Sequence, residues 1–194
     1  MTLLLLALLA ASPTPQRLSL LSAKMSISGT SNLHDWSCDV PQPQPKIDVQ
    51  PADTPTGLLP SAVALEVPVG AITCGNGTME GKLRDALDVK HHPNIEFTLA
   101  SARSLNRGDK VLARGHLKIA AVGRDIAFVA RIQQAGTRVE VAGDVPVQMS
   151  DYQVTPPTAL MGMLTTGNQV VVHFTLVFDA PKSPGRPAEP HAAP

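Results

Sequence analysis

The sequence predicts an all-β fold, an eight-stranded antiparallel β-barrel with short capping helices. Three observations predict it. Apolar and polar residues alternate with a period of two along seven separate runs, the mark of strands with one buried face. Short links carrying glycine join the later runs, which makes consecutive runs antiparallel neighbours. An open sheet of that many strands would also leave two unpaired edges, which closure removes.

The runs follow one another in order. Met25, Ile27, Gly29, Ser31 and Leu33 share the first face, opposite Lys24, Ser26, Ser28 and Asn32. Lys46–Val49 is a weaker run. Val63, Leu65, Val67 and Val69 come next, then Ile95, Phe97 and Leu99. Val111, Ala113, Gly115, Leu117 and Ile119 oppose Arg114, His116 and Lys118. Ile126, Phe128, Ala130 and Ile132 form a further run, and Val139, Val141, Gly143, Val145 and Val147 another. Val170, Val172, Phe174, Leu176 and Phe178 close the series. The links are Asn106-Arg107-Gly108-Asp109, Ala121-Val122-Gly123-Arg124 and Gln134-Ala135-Gly136, where Gly and Asn can supply the positive φ of a tight hairpin.

Two segments depart from this period. Met79, Leu83, Ala86 and Leu87 stand at helical spacing, and Pro93 ends any helix that precedes it. Residues 158–164, after Pro156-Pro157, read as a second short helix. Both are expected at the barrel's ends.

Length suits one domain with a sizeable core: 194 residues, of which 23–179 form the barrel. Sixteen basic and sixteen acidic residues cancel, so no basic field spreads over the molecule and nucleic acid is not an expected partner. Aromatics at 3% offer no stacking platform for single strands. The eighteen prolines crowd residues 13–15, 41–60 and 181–194, which are expected to contribute least to the core. Residues 1–22 contain an apolar run of about ten, too short to span a bilayer and similar to the core of a secretory signal. No stable membrane span is expected; export is, to the periplasm or outside the cell. The tail, 180–194, is Pro- and Ala-rich and is expected to be disordered.

Cys38 and Cys74 are the two cysteines. They are either one disulfide, as export would favour, or two separate thiols. They cannot make a four-thiolate zinc site.

Ser31, His34 and Asp35 hold the parts of a hydrolytic triad within one stretch. Along an extended chain Ser31 and Asp35 are roughly 13 Å apart, and no strand–turn–helix elbow surrounds the serine. A structural role follows for His34 and Asp35, which turn the chain, and for Trp36, which is expected to plug one end of the barrel. His91 and His92 diverge in any regular backbone. His116 and His173 point outward, and no metal motif accompanies them. No metal and no catalytic residue are expected. The inward set Gly115, Ala130 and Gly143 is small enough to leave a cavity, with Leu117, Phe128, Val141, Phe97 and Phe174 as its walls. Alternatively, the glycines mark bends in coiled strands. His92, Asp151 and Tyr152 are placed at the mouth, where they could meet a head group.

Three stretches resemble the YceI-like family of bacterial proteins: SGTSNLHDW; GNGTMEGKLRDALDVKHHPNIEFTL; and VPVQMSDYQVTPPTALMGMLTTGNQVVVHFTLVF. The resemblance runs from Met25 to Phe178. It implies a lipocalin-like barrel, export, and a long polyisoprenoid lipid such as a quinone tail bound inside. It offers no catalytic residue and no cofactor other than such a bound isoprenoid lipid. The expected partners are that apolar ligand and, at most, a second copy of the chain as a homodimer. The competing expectation is a structural or interaction barrel with a filled core and no ligand.

Overall fold

The computed structural model describes residues 14–105, 109–159 and 163–180. The apolar leader before residue 14, residues 106–108 of the 106–109 link, residues 160–162 of the expected second helix and the tail from 181 lie outside the described residues.

The described residues form eleven strands: β1 (Gln16–Arg17), β2 (Ser19–Ser31), β3 (Trp36–Asp39), β4 (Gln44–Pro51), β5 (Leu58–Pro68), β6 (Asn94–Ser104), β7 (Lys110–Ile119), β8 (Val122–Ala135), β9 (Arg138–Gln148), β10 (Thr158–Ala159) and β11 (Leu164–Asp179). One helix, α1 (Gly77–Ala86), and two 3-10 turns, Val69–Ala71 and Met149–Tyr152, complete the described elements. The strands hydrogen-bond in the order β1-β4-β5-β6-β7-β8-β9-β11-β2-β3, with β10 on β11. Eight of them are long. β1, β3 and β10, of two to four residues, are additions to the expected eight.

The sheet curls until its ends meet along residues 16–31. At the start of this stretch Gln16 pairs with Val49 and Arg17 with Asp48. The Leu18 N–H then donates to the Ile47 carbonyl at 3.0 Å. The rest of the stretch pairs with β11, from Ser19 opposite Asp179 to Ser31 opposite Thr166. Further along, the chain has parted from β4, and β2 takes β3 as its neighbour, with Ile27 opposite Cys38. The barrel is therefore drawn together at one end and parted along one side at the other. Across that parting, Asp39 bridges Thr73, and a disulfide joins Cys38 to Cys74 with Cα atoms 4.0 Å apart.

The antiparallel course puts the 52–57 and 136–137 turns, the end of β6 and the start of β7 at the drawn end. The other end carries α1, both 3-10 turns, the 31–35 loop and β10. Side chains alternate as the period demands. In β7 Val111, Ala113, Gly115 and Leu117 are buried, whereas Arg114 and His116 are exposed.

The structure corrects four expectations. The proline-rich 41–60 stretch does enter the core: Pro43, Pro45, Ile47 and Val49 are all buried. β4 tolerates proline because β1 pairs with it over only two residues, so along most of one side no N–H is required. Thr158 and Ala159 are extended, opposite Thr165 and Leu164, where a helix was expected. The preceding Pro156-Pro157 pair favours extended backbone. The β7–β8 turn is Ala120-Ala121, with Ala120 taking the positive φ of 49°, rather than a turn centred on Gly123. Gly123 lies within β8, where the His116 ring occupies the space of a side chain. Finally, the first long strand starts at Ser19, before the expected boundary at residue 23.

Candidate ligand cavity

The barrel interior is apolar and partly hollow. A cavity of about 440 Å³ runs between the strands and beneath α1. Its floor is the packed cluster at the drawn end, where Phe178 and Val139 are fully buried against Leu18, Ile47 and Ile132. Its roof is the helix. Asn76 caps α1, its side chain accepting from the N–H groups of Thr78 and Met79 at 3.0 and 3.2 Å. The expected helical stripe of Met79, Leu83, Ala86 and Leu87 lines the cavity. Lys82 Nζ donates to the Thr158 carbonyl at 2.6 Å and so ties the roof to β10.

Of the wall residues the sequence singled out, Phe97, Leu117, Phe128, Ala130, Val141 and Phe174 line the cavity. The three phenylalanines form one aromatic row: Phe97 and Phe128 have ring centroids 5.6 Å apart, and Phe128 meets Phe174 edge-on at 6.2 Å. Gly115 and Gly143 do not open space. A Cβ on Gly115 would overlap the Phe97 ring and the Thr98 carbonyl, and one on Gly143 would stand 2.9 Å from the Phe174 ring. The room these glycines leave is taken by rings from the adjacent strands.

The three expected mouth residues separate. Tyr152 lines the cavity and is only 3% exposed. Asp151 is exposed, its carbonyl accepting from Arg124 Nε at 2.9 Å. His92 is half-buried in the turn after α1, its N–H bonded to the Asp88 carbonyl. Neither Asp151 nor His92 lines the cavity. The Tyr152 hydroxyl has no hydrogen-bond partner. Burial holds its proton above the usual tyrosine range; the neighbouring Asp151 adds to this and Arg124 opposes it.

The 31–36 loop is a turn and not a triad. Ser31 Oγ donates to the His34 carbonyl at 2.6 Å and accepts from the N–H of His34 at 3.1 Å. His34 Nδ1 lies 2.8 Å from the Asp35 carbonyl, not from a carboxylate. Asp35 is exposed. Trp36 lies over Gly29, where a Cβ would collide with the indole, and its Nε1 donates to the Thr30 carbonyl at 3.1 Å. The indole is half-buried in the cavity wall.

A different serine, histidine and aspartate do converge. Ser28 Oγ is 2.8 Å from His173 Nε2, and His173 Nδ1 is 2.6 Å from Asp144 Oδ1. They come from β2, β11 and β9, at outward positions far apart in sequence, so no local motif announces them. The bond pattern is that of a charge-relay chain. What it lacks is an oxyanion hole. Around Ser28, β2 is flanked by both β3 and β11, and its backbone N–H groups are committed to the ladder. The group is a cross-strand hydrogen-bond chain on the outer wall. His116 pairs with Asp125 at 3.0 Å and His91 with Asp88 at 2.8 Å, both in solvent. Among the described residues no cluster of three or more metal-ligating side chains occurs, and no helix is long and apolar enough to cross a membrane.

Residues 21–178 match the family model of the YceI-like domain. No curated protein sequence matches the chain. Solved structures do. BcnA of Burkholderia cenocepacia is 17% identical with a TM-score of 0.69, over 82% of this chain and 98% of that one. A polyisoprenoid binding domain from Saccharophagus degradans, implicated in plant cell wall breakdown, is 14% identical with a TM-score of 0.60, over 87% and 100%. The YCEI protein of Campylobacter jejuni is 16% identical with a TM-score of 0.62, over 75% and 84%.

Proposed function

The chain belongs to the YceI-like family, and from that premise we propose that it is an exported barrel that binds a long apolar chain of the polyisoprenoid or quinone-tail kind and leaves it chemically unchanged. The observation that carries this reading is the cavity: about 440 Å³, walled mainly by aliphatic and phenylalanine side chains, within the range of small-molecule sites. Each CH₂ group moved from water into such a space gains about 0.8 kcal/mol, so length alone gives affinity without charged contacts. The polyisoprenoid binding domain among the fold's relatives supports the choice of ligand class. The disulfide and the apolar leader support export to the periplasm or beyond. The missing oxyanion donors beside Ser28 support a role without catalysis.

Mass spectrometry of an organic extract of the protein, purified from its native compartment, tests the reading. A stoichiometric apolar chain is expected. An extract free of any such chain, from protein that also takes none up when it is supplied, returns the molecule to a structural or interaction barrel.

A further inference from the structure

Among the described residues, two buried side-chain polar atoms lack a partner, the Ser104 and Tyr152 hydroxyls. Ser104 ends β6 and does not line the cavity; Tyr152 does. The other polar side chains on the lining include several that are already engaged. Lys82 donates to the Thr158 carbonyl, Trp36 to the Thr30 carbonyl and Ser31 to the His34 carbonyl, while Asn76 caps α1. Tyr152 is packed among Phe97, Leu117, Val147 and Val154, which can offer its hydroxyl nothing. A hydroxyl buried without a partner is costly, and native proteins rarely keep one idle.

We infer that the Tyr152 hydroxyl is a hydrogen-bond donor to the ligand, and that it selects apolar chains bearing an uncharged oxygen function, a carbonyl or hydroxyl, over plain hydrocarbons. This rests on the reading that the cavity holds an apolar chain. The partner must be able to accept a hydrogen bond, since a protonated phenol offers its O–H. It must also be neutral. The side chains packed on Tyr152 are apolar, Arg124 is bonded to the Asp151 carbonyl outside the lining and Lys82 to the Thr158 carbonyl, and desolvating an unpaired charge there would outweigh one hydrogen bond. A site built around such a donor disfavours an analogue lacking the acceptor, because the donor is then left unpaired.

The test is a cycle of four affinities on delipidated protein: the parent chain and Tyr152→Phe, each with a long-chain methyl ketone and with the alkane of equal length, read by displacement of a fluorescent alkyl probe. Tyr152→Phe should weaken the ketone about tenfold relative to its effect on the alkane, the size of one net hydrogen bond. The alkane should bind unchanged or more tightly, and the variant should melt at or above the parent temperature. If both ligands shift by one factor, or neither shifts, the donor role is overturned while the apolar cavity stands. If the parent binds neither ligand, the reading beneath it falls as well. The infrared carbonyl stretch of the ketone bound to the parent gives an independent check. A stretch lowered by hydrogen bonding is expected, and one at the free-carbonyl position overturns the inference even if the variant fails to fold.

Discussion

The two ends of the barrel use the same alternating strands to opposite effect. At the drawn end, Phe178, Val139 and Leu18 are buried to 4% exposure or less, and the interior is solid. At the helix end, Phe97, Phe128 and Phe174 stand in a row around an opening roofed by α1. Glycine positions do not explain the contrast, since Gly115 and Gly143 are covered by rings. What differs is the seam: residues 16–18 bond directly to β4 at the drawn end, whereas towards the helix end β2 pairs with β3 and the Cys38–Cys74 crossing spans the parting.

The contrast can be broken most forcefully from the solid side. Phe178→Ala removes a side chain that is 0% exposed, and should cost about 3–5 kcal/mol in a denaturant melt. Leu83→Ala, on the cavity roof, should cost only about 1–2 kcal/mol, below the range for a packed leucine, because its side chain already faces open space. Equal losses at the two sites would mean that the helix end is as tightly packed as the drawn end.

The disulfide comes next. Its ends are 36 residues apart, and the loop-entropy account assigns about 3–4 kcal/mol to such a closure. The Cys38→Ser, Cys74→Ser double variant should lose that much. Its loosening should be confined to the parted side, with amide exchange rising at Asp39 and Thr73 before it rises in β7 or β8. Uniform acceleration would show that the bridge does not set the opening.

Gly143→Phe sharpens the comparison at its boundary. With Phe174 already over that glycine, the added ring must displace it, and overpacking should cost about 1–3 kcal/mol. A variant as stable as its parent would put the free space at Gly143 after all.

The smallest effect expected is at the seam. Arg17 hydrogen-bonds both oxygens of Asp48, at 2.5 and 2.8 Å, and this holds the Asp48 carboxyl below its usual range. A carboxyl depressed in the folded state contributes stability above its unfolded pKa of about 3.9, and that contribution is lost as pH falls through the folded value. The pair is exposed, so the loss should be slight. It should appear as a lower protection of the Leu18 amide, relative to its intrinsic exchange rate, below about pH 4, absent in Asp48→Asn. Protection that does not change with pH would detach the seam from this pair.

Much of this was legible in the chain. The alternation from Val111 to Ile119 and from Val139 to Val147 fixes which side chains point inward, and Met79, Leu83, Ala86 and Leu87 mark the roof. Other features depend on contacts that local pattern does not carry. β4 is a weak run in the sequence because its prolines resemble a loop, and only the pairing shows that most of one edge needs no N–H. Gly115 and Gly143 resemble gaps until the neighbouring strands supply Phe97 and Phe174. Ser28, His173 and Asp144 are joined only by register. Tyr152 and Asp151 are adjacent polar residues that read alike as mouth positions, yet Tyr152 lines the cavity while Asp151 remains outside.

The helix end is hollow, and Trp36, the single tryptophan of the chain, stands in its wall. A brominated alkyl chain titrated into delipidated protein reads it directly, because bromine quenches indole fluorescence only at contact. Saturable quenching of Trp36, complete at one chain per protein and reversed by an unbrominated competitor, is the predicted result. Absent quenching, or quenching that rises without limit as for a ligand on the outer surface, would contradict it.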